Sequence, residues 1–395
     1  MTPHAGDLGP LKIMLVAGEP SGDALGAQLM RSLKEATQGK VTLIGAGGPE
    51  MRREGLQSLY DISDTSVIGL RDAAPMARRL YARIRQAADF AVSQRPAAAV
   101  LIDSTDFMRW VAGRIKKGAP DVLRIKYVSP QIWASRPGRA KALAQLFDHI
   151  LCLFPFEPDF YKAVGLPASF VGNPVVDRAP PPGLGAQFRA KHGISPDERV
   201  LLMLPGSRAS EIRFLWPAFC EAVDMTTAAI GPCRVVIPVV PSLAQTIKER
   251  AHAWGRSVVL VHHTNEKWGA FEAADAALTK TGTITTELAL AQTPMVSAYR
   301  AGRLTAWAAR RIMTVKHLNM LNLVLDRVAI PEFLQADCTP ANLSRELIGL
   351  MRDPVARATQ AAAAKEALIK LGYGQPAASD RAARQILDLI AARKA

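Results

Sequence analysis

Short apolar runs alternate with longer segments of helical periodicity along most of the chain, and this alternation restricts the possible folds more than any other feature. In the first half the runs are Lys12–Val16, Val41–Ile44, Ala98–Ile102, Arg124–Val128, Ile150–Leu153 and Phe170–Val171. The second half continues with Val200–Leu204, Val235–Val240, Val258–Val261, Ala276–Leu278 and Met295–Tyr299. Strands separated by helices form parallel β–α–β units, and near-continuous apolar runs are typical of strands covered on both faces. The pattern therefore predicts a doubly wound α/β fold.

A proline-rich segment separates the two halves. Residues 179–185 read APPPGLG, and three successive prolines fit neither a central strand nor a helix interior. For 395 residues, at roughly 100–200 per domain, we predict two Rossmann-like α/β domains that face a cleft. These are 1–178 and 186–340, joined by the linker 179–185. Residues 341–395 are predicted to form a helical C-terminal tail that packs back on the N-terminal domain or on a partner subunit.

Charge and apolar content restrict the function classes. Lys and Arg number 49 against 35 Asp and Glu, and the net charge of +14 favours an anionic partner. Aromatic residues make up only 6% and do not alternate with the arginines, which argues against nucleic acid. No apolar run approaches the ~20 residues of a membrane span, and Ile13–Ala17 lacks the basic segment of a secretory signal. Four scattered cysteines predict reduced core thiols in a cytoplasmic protein without a metal site.

Three acidic side chains of the first half follow apolar runs, at the edge where such a sheet binds ligands. Glu19 lies in the turn GEPSGD, which is interpreted either as a capped turn or as a polar wall of the cleft. Asp103 and Asp106 follow the third run. A carboxylate can accept a proton from an attacking hydroxyl, so we predict that Asp103 faces the cleft and Asp106 is a structural partner. Gln131 and Trp133 follow the fourth run and would line a sugar site, although a packed Trp is an equal alternative.

Two glycine-containing turns of the second half are typical of phosphate binding. In each, a small residue pair opens a helix and offers unpaired backbone N–H groups to an anion. Arg208 adds a fork of donors to the first turn. Glu287, one turn into the second helix, would bind ribose hydroxyls or simply favour the helix N-terminus. The predicted binding residues are Gly206, Ser207, Arg208, Gly282, Thr283 and Glu287.

An apolar patch followed by arginines suits an anionic lipid surface, where each basic residue adds ~1 kcal/mol. The alternative is a solvated helix face over the core. The predicted membrane- or acyl-binding residues are Val67, Ile68, Leu70, Arg78, Arg79 and Arg83.

Taken in order, the motifs resemble the lipid-A-disaccharide synthase family, which comprises inverting glycosyltransferases of the two-domain GT-B type. The resemblance covers nearly the whole chain. It lies in VAGEPSGD (Val16–Asp23), GGPEM (Gly47–Met51), IDSTDF (Ile102–Phe107), YVSPQIWA (Tyr127–Ala134), LFPFE (Leu153–Glu157), LMLPGSR (Leu202–Arg208), GTITTE (Gly282–Glu287) and NLVLDRVAIPEFLQ (Asn322–Gln335). The chain departs from the family's usual residues at Ser135, Asn173 and Lys280.

The resemblance implies condensation of UDP-2,3-diacylglucosamine with 2,3-diacylglucosamine 1-phosphate to a β-1,6-linked disaccharide, with UDP released and neither cofactor nor metal needed. It implies a cytoplasmic protein, peripherally associated with the inner membrane of a Gram-negative bacterium, and a homodimer is possible. By the same resemblance Asp103 matches the general base and Glu19 a second essential carboxylate. Arg208, Glu287 and Asn322 match residues of the nucleotide-sugar site.

Two other interpretations stay open. One is another GT-B enzyme acting on UDP-N-acetylglucosamine, either a 2-epimerase or a peptidoglycan-type transferase. The other, from a different class, is a non-catalytic scaffold that binds membrane or nucleic acid.

Overall fold

The computed structural model describes residues 11–65, 73–134, 137–262, 264–302, 306–307 and 311–394. The chain divides into two compact units. Unit 1 comprises the chain up to residue 174 together with the segment from 374 onward, and unit 2 comprises residues 175–373.

Unit 1 contains a six-stranded parallel sheet. Its strands are β1 Leu11–Ala17, β2 Val41–Ala46, β3 Ala98–Ile102, β4 Leu123–Tyr127, β5 His149–Cys152 and β6 Ala168–Phe170, in the spatial order β2-β1-β3-β4-β5-β6. The helices of unit 1 are α1 Pro20–Ala36, α2 Pro49–Arg53, α3 Ala73–Gln94, α4 Thr105–Gly118, α5 Ala140–Ala144, α6 Glu157–Lys162 and α15 Ala378–Lys394.

Side chains along β1 alternate between two buried clusters, which explains why the strand is apolar throughout. Ile13 and Leu15 lie in a cluster with residues of α1 and α15. Met14 and Val16 lie in a second cluster with residues of α3 and α4. Because successive side chains of a strand point to opposite faces, both faces of the sheet are covered by helices, as the apolar runs predicted.

Unit 2 repeats this plan with a second six-stranded parallel sheet. Its strands are β7 Arg199–Leu204, β8 Cys233–Pro238, β9 Val258–Val261, β10 Ala276–Lys280, β11 Met295–Tyr299 and β12 Glu332–Leu334, in the order β12-β11-β10-β7-β8-β9. The helices are α7 Leu184–Lys191, α8 Ala209–Ile230, α9 Ala244–Trp254, α10 Thr264–Ala273, α11 Ile284–Leu290, α12 Met320–Leu325, α13 Pro340–Arg352 and α14 Pro354–Lys370.

The doubly wound α/β prediction is confirmed. Every predicted apolar run overlaps a strand, with ends shifted by at most two residues. One strand was not predicted: β12 is a three-residue edge strand directly after Pro331. Among the described helices, none combines the length and the apolar character that a membrane span requires.

The segment predicted as one tail, 341–395, is divided between the two units. Both α13 and α14 belong to unit 2. The last helix, α15, packs on α1, where Ser32 Oγ donates a hydrogen bond of 2.6 Å to Asp380 Oδ1. The predicted linker also has a different extent, because α7 begins at Leu184 and Glu272 of α10 accepts hydrogen bonds from the N–H groups of Gly183 and Gly185.

If α15 completes the core of unit 1, truncating its buried face should destabilise the protein. Ile386 is fully buried against the sheet, whereas Ile369 of α14 is 51% exposed. We expect Ile386→Ala to lower the free energy of unfolding by about 2–5 kcal/mol because it leaves a cavity. The matched change Ile369→Ala should stay within about 0.5 kcal/mol. Urea unfolding followed by circular dichroism measures both, and equal losses would contradict the packing of α15.

Candidate functional site

The structure brings the two predicted carboxylates of unit 1 to the same edge of the sheet. Strands β1 and β3 are hydrogen-bonded neighbours, with Ala17 opposite Ile102, so the turns that follow them lie side by side. Ser21 Oγ donates a hydrogen bond of 2.6 Å to Asp103 Oδ2, and Ser104 Oγ donates one of 2.8 Å to Glu19 Oε1. Each carboxylate is thus oriented by a serine from the opposite turn.

The backbone is strained where β3 and β4 end. Asp103 and Ser104 have φ angles of 54° and 32°, and Val128, a β-branched residue, has a φ of 72°. Such conformations cost roughly 1–3 kcal/mol each and cluster at functional sites. Gly18 is required beside this turn, because a Cβ there would come within 2.9 Å of Ser104 Oγ. The strain therefore lies at the predicted base and at its nearest neighbours.

A lysine that the sequence analysis missed lies beneath these carboxylates. Lys126, in β4, is fully buried, and its Nζ donates hydrogen bonds of 2.6 Å to the carbonyl oxygen of Asp103 and 3.1 Å to that of Tyr127. Burial lowers the pKa of Lys126 to about 7, and the nearby charges of Asp103 and Glu19 oppose that shift. The sequence feature that could have identified Lys126 is its place inside a predicted strand that helices cover on both faces.

Gln131 and Trp133 lie in a single 3-10 turn, 131–134, after β4. The side chain of Gln131 is exposed, whereas Trp133 packs edge-on against Phe156 and donates a hydrogen bond of 2.9 Å from Nε1 to Glu157 Oε1. Burial raises the pKa of Glu157 to about 7, although its hydrogen bonds, the one from Trp133 foremost, oppose the shift. The contacts of Trp133 thus agree with the alternative that it is a packed side chain. Gln131 remains a predicted sugar contact.

The two glycine turns of unit 2 line one cavity of about 420 Å³ at the carboxyl ends of β7 to β10. All four predicted turn residues contribute, and two lysines and one histidine add polar groups. The polar and turn residues of this lining are Gly206, Ser207, His262, Lys267, Lys280, Gly282 and Thr283. Valines and prolines at the end of β8 and after it form an apolar wall, so the cavity combines an apolar face with the two glycine turns and three basic side chains, as small-ligand sites do.

Glu211 of α8 organises the first glycine turn. Its carboxylate accepts a hydrogen bond of 3.0 Å from Ser207 N and forms ion pairs of 3.1 Å with Lys280 Nζ and 3.3 Å with Arg208 Nη1. Burial by itself would raise the pKa of Glu211, but the contacts with Lys280, Ser207 and Arg208 outweigh it, and the pKa is lowered. A Cβ at Gly206 would lie 2.5 Å from Glu211 Oε2, so glycine is needed there. The Arg208 side chain is 76% exposed and lies outside the cavity lining.

Glu287, the predicted ribose ligand, contacts the cavity through a neighbour. Its Oε2 forms an ion pair of 2.9 Å with Nζ of Lys267, which lines the cavity and lies 5.2 Å from the ring centroid of Trp268. Lys267 was missed because it lies inside α10 and not at a strand end.

Asn322 is fully buried and uses its amide internally. Nδ2 donates to the carbonyl oxygen of Ile330, and Oδ1 accepts from the N–H groups of Ala329 and Ile330, all at 2.8 Å. These bonds hold the chain that leads into β12. Asn322 does not line the cavity, and its role in substrate binding stays a prediction.

The predicted membrane patch is described only in part. Val67, Ile68 and Leu70 lie outside the described residues. Ser135, where the chain departs from the family's usual residue, also lies outside them. On α3, Arg78 and Arg79 are exposed. Arg83 is half-buried, with its Cζ 5.4 Å from the ring centroid of Tyr60 and its Nη1 donating to Gln86.

No group of three or more potential metal ligands occurs within the part of the chain that the structure describes. The four cysteines are unpaired thiols, and three of them are buried.

Two parallel six-stranded sheets with polar groups at their strand ends define a GT-B fold. Solved structures have the same fold, and their sequence identities to this chain are so low that the similarity concerns the fold alone. The glycotransferase of kitacinnamycin aligns with a TM-score of 0.57 and 17% identity over 95% of this chain and 98% of that one. UDP-GlcNAc 2-epimerase from Neisseria meningitidis, bound to UDP-GlcNAc, gives 0.59 and 12% over 96% and 99%.

Sequence comparison is more specific. The family model described as lipid-A-disaccharide synthetase matches residues 13–386. A lipid-A-disaccharide synthase from Rhodospirillum centenum is 41% identical over 97% of this chain and 96% of its own length. The chain therefore belongs to the lipid-A-disaccharide synthase family and is a glycosyltransferase.

The contacts of Asn322 predict a stability effect that does not require substrate. Asn322→Ala would leave the buried N–H and carbonyl of Ile330 and the part-buried N–H of Ala329 without their partner, and each buried loss costs about 1–3 kcal/mol. We expect the ligand-free variant to unfold at clearly lower urea concentration. Asn342→Ala, which removes a solvent-exposed bond to Asp337, is the control and should change little. Wild-type stability combined with lost donor binding would assign Asn322 to the substrate instead.

Proposed function

We propose that this chain transfers a 2,3-diacylglucosaminyl group from UDP to 2,3-diacylglucosamine 1-phosphate, giving the β-1,6-linked lipid A disaccharide 1-phosphate. Family membership over most of the chain supports this reaction. The structural observation that carries it is the pair of serine-bound carboxylates, Asp103 and Glu19, on adjoining turns. The UDP-sugar is a substrate, and we propose that neither cofactor nor metal takes part.

Asp103 is the proposed general base. The oxygen of the acceptor 6-hydroxyl attacks the anomeric carbon of the donor and gives its proton to the Asp103 carboxylate. The bond from the anomeric carbon to the diphosphate oxygen breaks, and UDP leaves with the electron pair. Because Ser21 occupies Oδ2, Oδ1 is the oxygen available to the hydroxyl. A single displacement inverts the anomeric configuration.

The cavity of unit 2 is the proposed UDP site. N–H groups of the two glycine turns, together with Lys280 and Arg208, supply positive potential to the diphosphate as its charge grows, which is preorganised electrostatic stabilisation. Glu211 fixes Lys280 in the cavity wall, so little reorganisation of that cation is needed during the reaction. The apolar wall after β8 suits a flat nucleobase, and Glu287 with Lys267 is proposed to bind the ribose.

The 2-epimerase alternative shares the fold but lacks support in sequence. The solved epimerase is 12% identical, whereas the synthase from Rhodospirillum centenum is 41% identical. Epimerisation and transfer also give different products from different substrates, so a direct assay separates them.

Peripheral association with the inner membrane is proposed from charge and exposure. The net charge of +14 favours an anionic surface. Tyr81 of α3 and Trp110 of α4 are 56% and 69% exposed, and α3 packs on α4. Exposed aromatic side chains beside arginines suit the interface between lipid and water. A homodimer stays a prediction.

Incubation with UDP-2,3-diacylglucosamine and 2,3-diacylglucosamine 1-phosphate, followed by mass spectrometry of the lipid extract, tests the reaction. We expect the disaccharide 1-phosphate, and we expect Asp103→Asn to lower kcat by at least about 10²-fold because the base is lost. Donor binding, measured by titration, should persist in that variant. Near-normal turnover would remove Asp103 from the mechanism, and interconversion of UDP-N-acetylglucosamine with its 2-epimer would replace the proposed reaction.

Membrane association is tested by co-sedimentation with liposomes that contain anionic phospholipid at low salt. We expect the double variant Arg78→Ala, Arg79→Ala to bind more weakly than the wild type. The control, Arg31→Ala with Arg53→Ala, also removes two exposed positive charges and should bind normally. Arg83 is kept because it packs on Tyr60. Equal losses in both variants would indicate a non-specific effect of charge and defeat the assignment to α3.

A further inference from the structure

Lys126 is a costly residue in its position. The ammonium group lies at the carboxyl end of β4, and the side chain has no exposed surface. Burying a charge is unfavourable unless it is paired and hydrogen-bonded. The hydrogen bonds of Nζ go to two backbone carbonyls, so the residue joins strand ends and does not form a simple side-chain ion pair.

Together with one backbone bond, these bonds hold the backbone of Asp103 on both sides of its Cα. The N–H group of Asp103 donates a hydrogen bond of 3.0 Å to the carbonyl oxygen of Tyr127. The carbonyl oxygen of Asp103 accepts a bond of 2.6 Å from Lys126 Nζ. Both backbone groups that flank the Asp103 Cα are therefore tied to β4. Because φ at Asp103 is 54°, an unfavourable angle for a residue with a Cβ, such ties are needed to fix the direction of the carboxylate.

The charges around Lys126 also connect it with the two carboxylates. The charged groups that face its ammonium are Asp103, after β3, and Glu19, between β1 and α1. Attraction to two carboxylates partly offsets the desolvation of the ammonium. A methionine would fill the same space without that cost, so the cation contributes something other than packing.

We propose that Lys126 is a positioning residue for the transfer reaction, holding the Asp103 carbonyl so that its carboxylate is aimed at the acceptor hydroxyl and supplying a positive charge beneath the two carboxylates. This inference rests on the proposed role of Asp103 as the base.

The test is steady-state kinetics of Lys126→Met over a range of pH. We expect kcat to fall by about 10²-fold, the usual consequence of displacing a catalytic group by ~1 Å. The KM for the UDP-sugar should change by less than about twofold, since Lys126 is not in the cavity of unit 2. The wild-type kcat/KM profile should have a basic limb as the pH rises through the Lys126 pKa of about 7, because the ammonium loses its charge there, and the Met variant should lack that limb. A purely structural role would not remove this limb.

The matched control is Arg124→Met on the same strand. Arg124 is a buried cation at the opposite end of β4, where it pairs with Asp148 at 2.7 Å. We expect the Arg124 variant to lose stability but to keep the wild-type kcat and pH profile. Lys126→Met should also lose stability, because the carbonyl oxygen of Asp103 loses its bond from Nζ. The two variants are therefore distinguished by their kinetics.

Each kinetic outcome either supports or overturns the positioning role of Lys126. A Lys126→Met variant with kcat within threefold of wild type, or with the basic limb of the wild type unchanged, overturns the proposal even if Asp103→Asn is inactive. If Asp103→Asn keeps its turnover, the proposed base fails first and independently. Should Lys126→Met not fold, Lys126→Gln keeps a donor on a shorter stem. A Gln variant with wild-type kcat and pH profile would then overturn the proposal.

Discussion

Parallel pairing of β1 with β3 is the constraint on which the site of unit 1 depends. In a parallel sheet all strands run in one direction, so the residues that follow them are delivered to one edge. The pairing of Ala17 with Ile102 sets the register, and residues 18–21 therefore meet residues 103–104. The crossed bonds from Ser21 to Asp103 and from Ser104 to Glu19 follow from that register. A shift of one residue would separate both pairs.

The fold could be predicted largely because burial on both faces leaves a plain signature in sequence. Strands such as β3, whose five residues are all buried, are apolar throughout. The equally buried β4 is the exception, because its Arg124 and Lys126 have hydrogen-bond partners. β12 escaped prediction because a three-residue edge strand with one acidic residue has no such signature. The position of α15 also escaped, since its buried stripe, which includes Ile386 and Ile390, looks like that of any amphipathic helix. Sequence periodicity shows that a helix has an apolar face but not which sheet it covers.

Position in the chain also determines which site residues could be predicted from the sequence. Asp103, Glu19 and the two glycine turns directly follow strands, so their positions were accessible from the sequence, and the structure brings each group together. Lys126 and Lys267 lie inside a strand and a helix, where a charged residue is normally taken for a solvated one. Asn322 entered through family resemblance alone, and its internal bonds depend on a turn seven residues downstream that no local pattern reveals.

Local stability and the chemistry of the site make opposing demands at the ends of β3 and β4. Glycine at 103 or 104 would relieve the left-handed strain, and an apolar residue at 126 would avoid burying a charge. Three unfavourable backbone conformations and a buried cation instead converge within one edge of the sheet, around the serine-bound carboxylates. Proteins tolerate such local conflicts at functional sites and stabilise the fold elsewhere. Here the two helix-covered faces of the sheet provide that reserve, so the carboxylates can be held in a geometry that the local sequence would not adopt by itself.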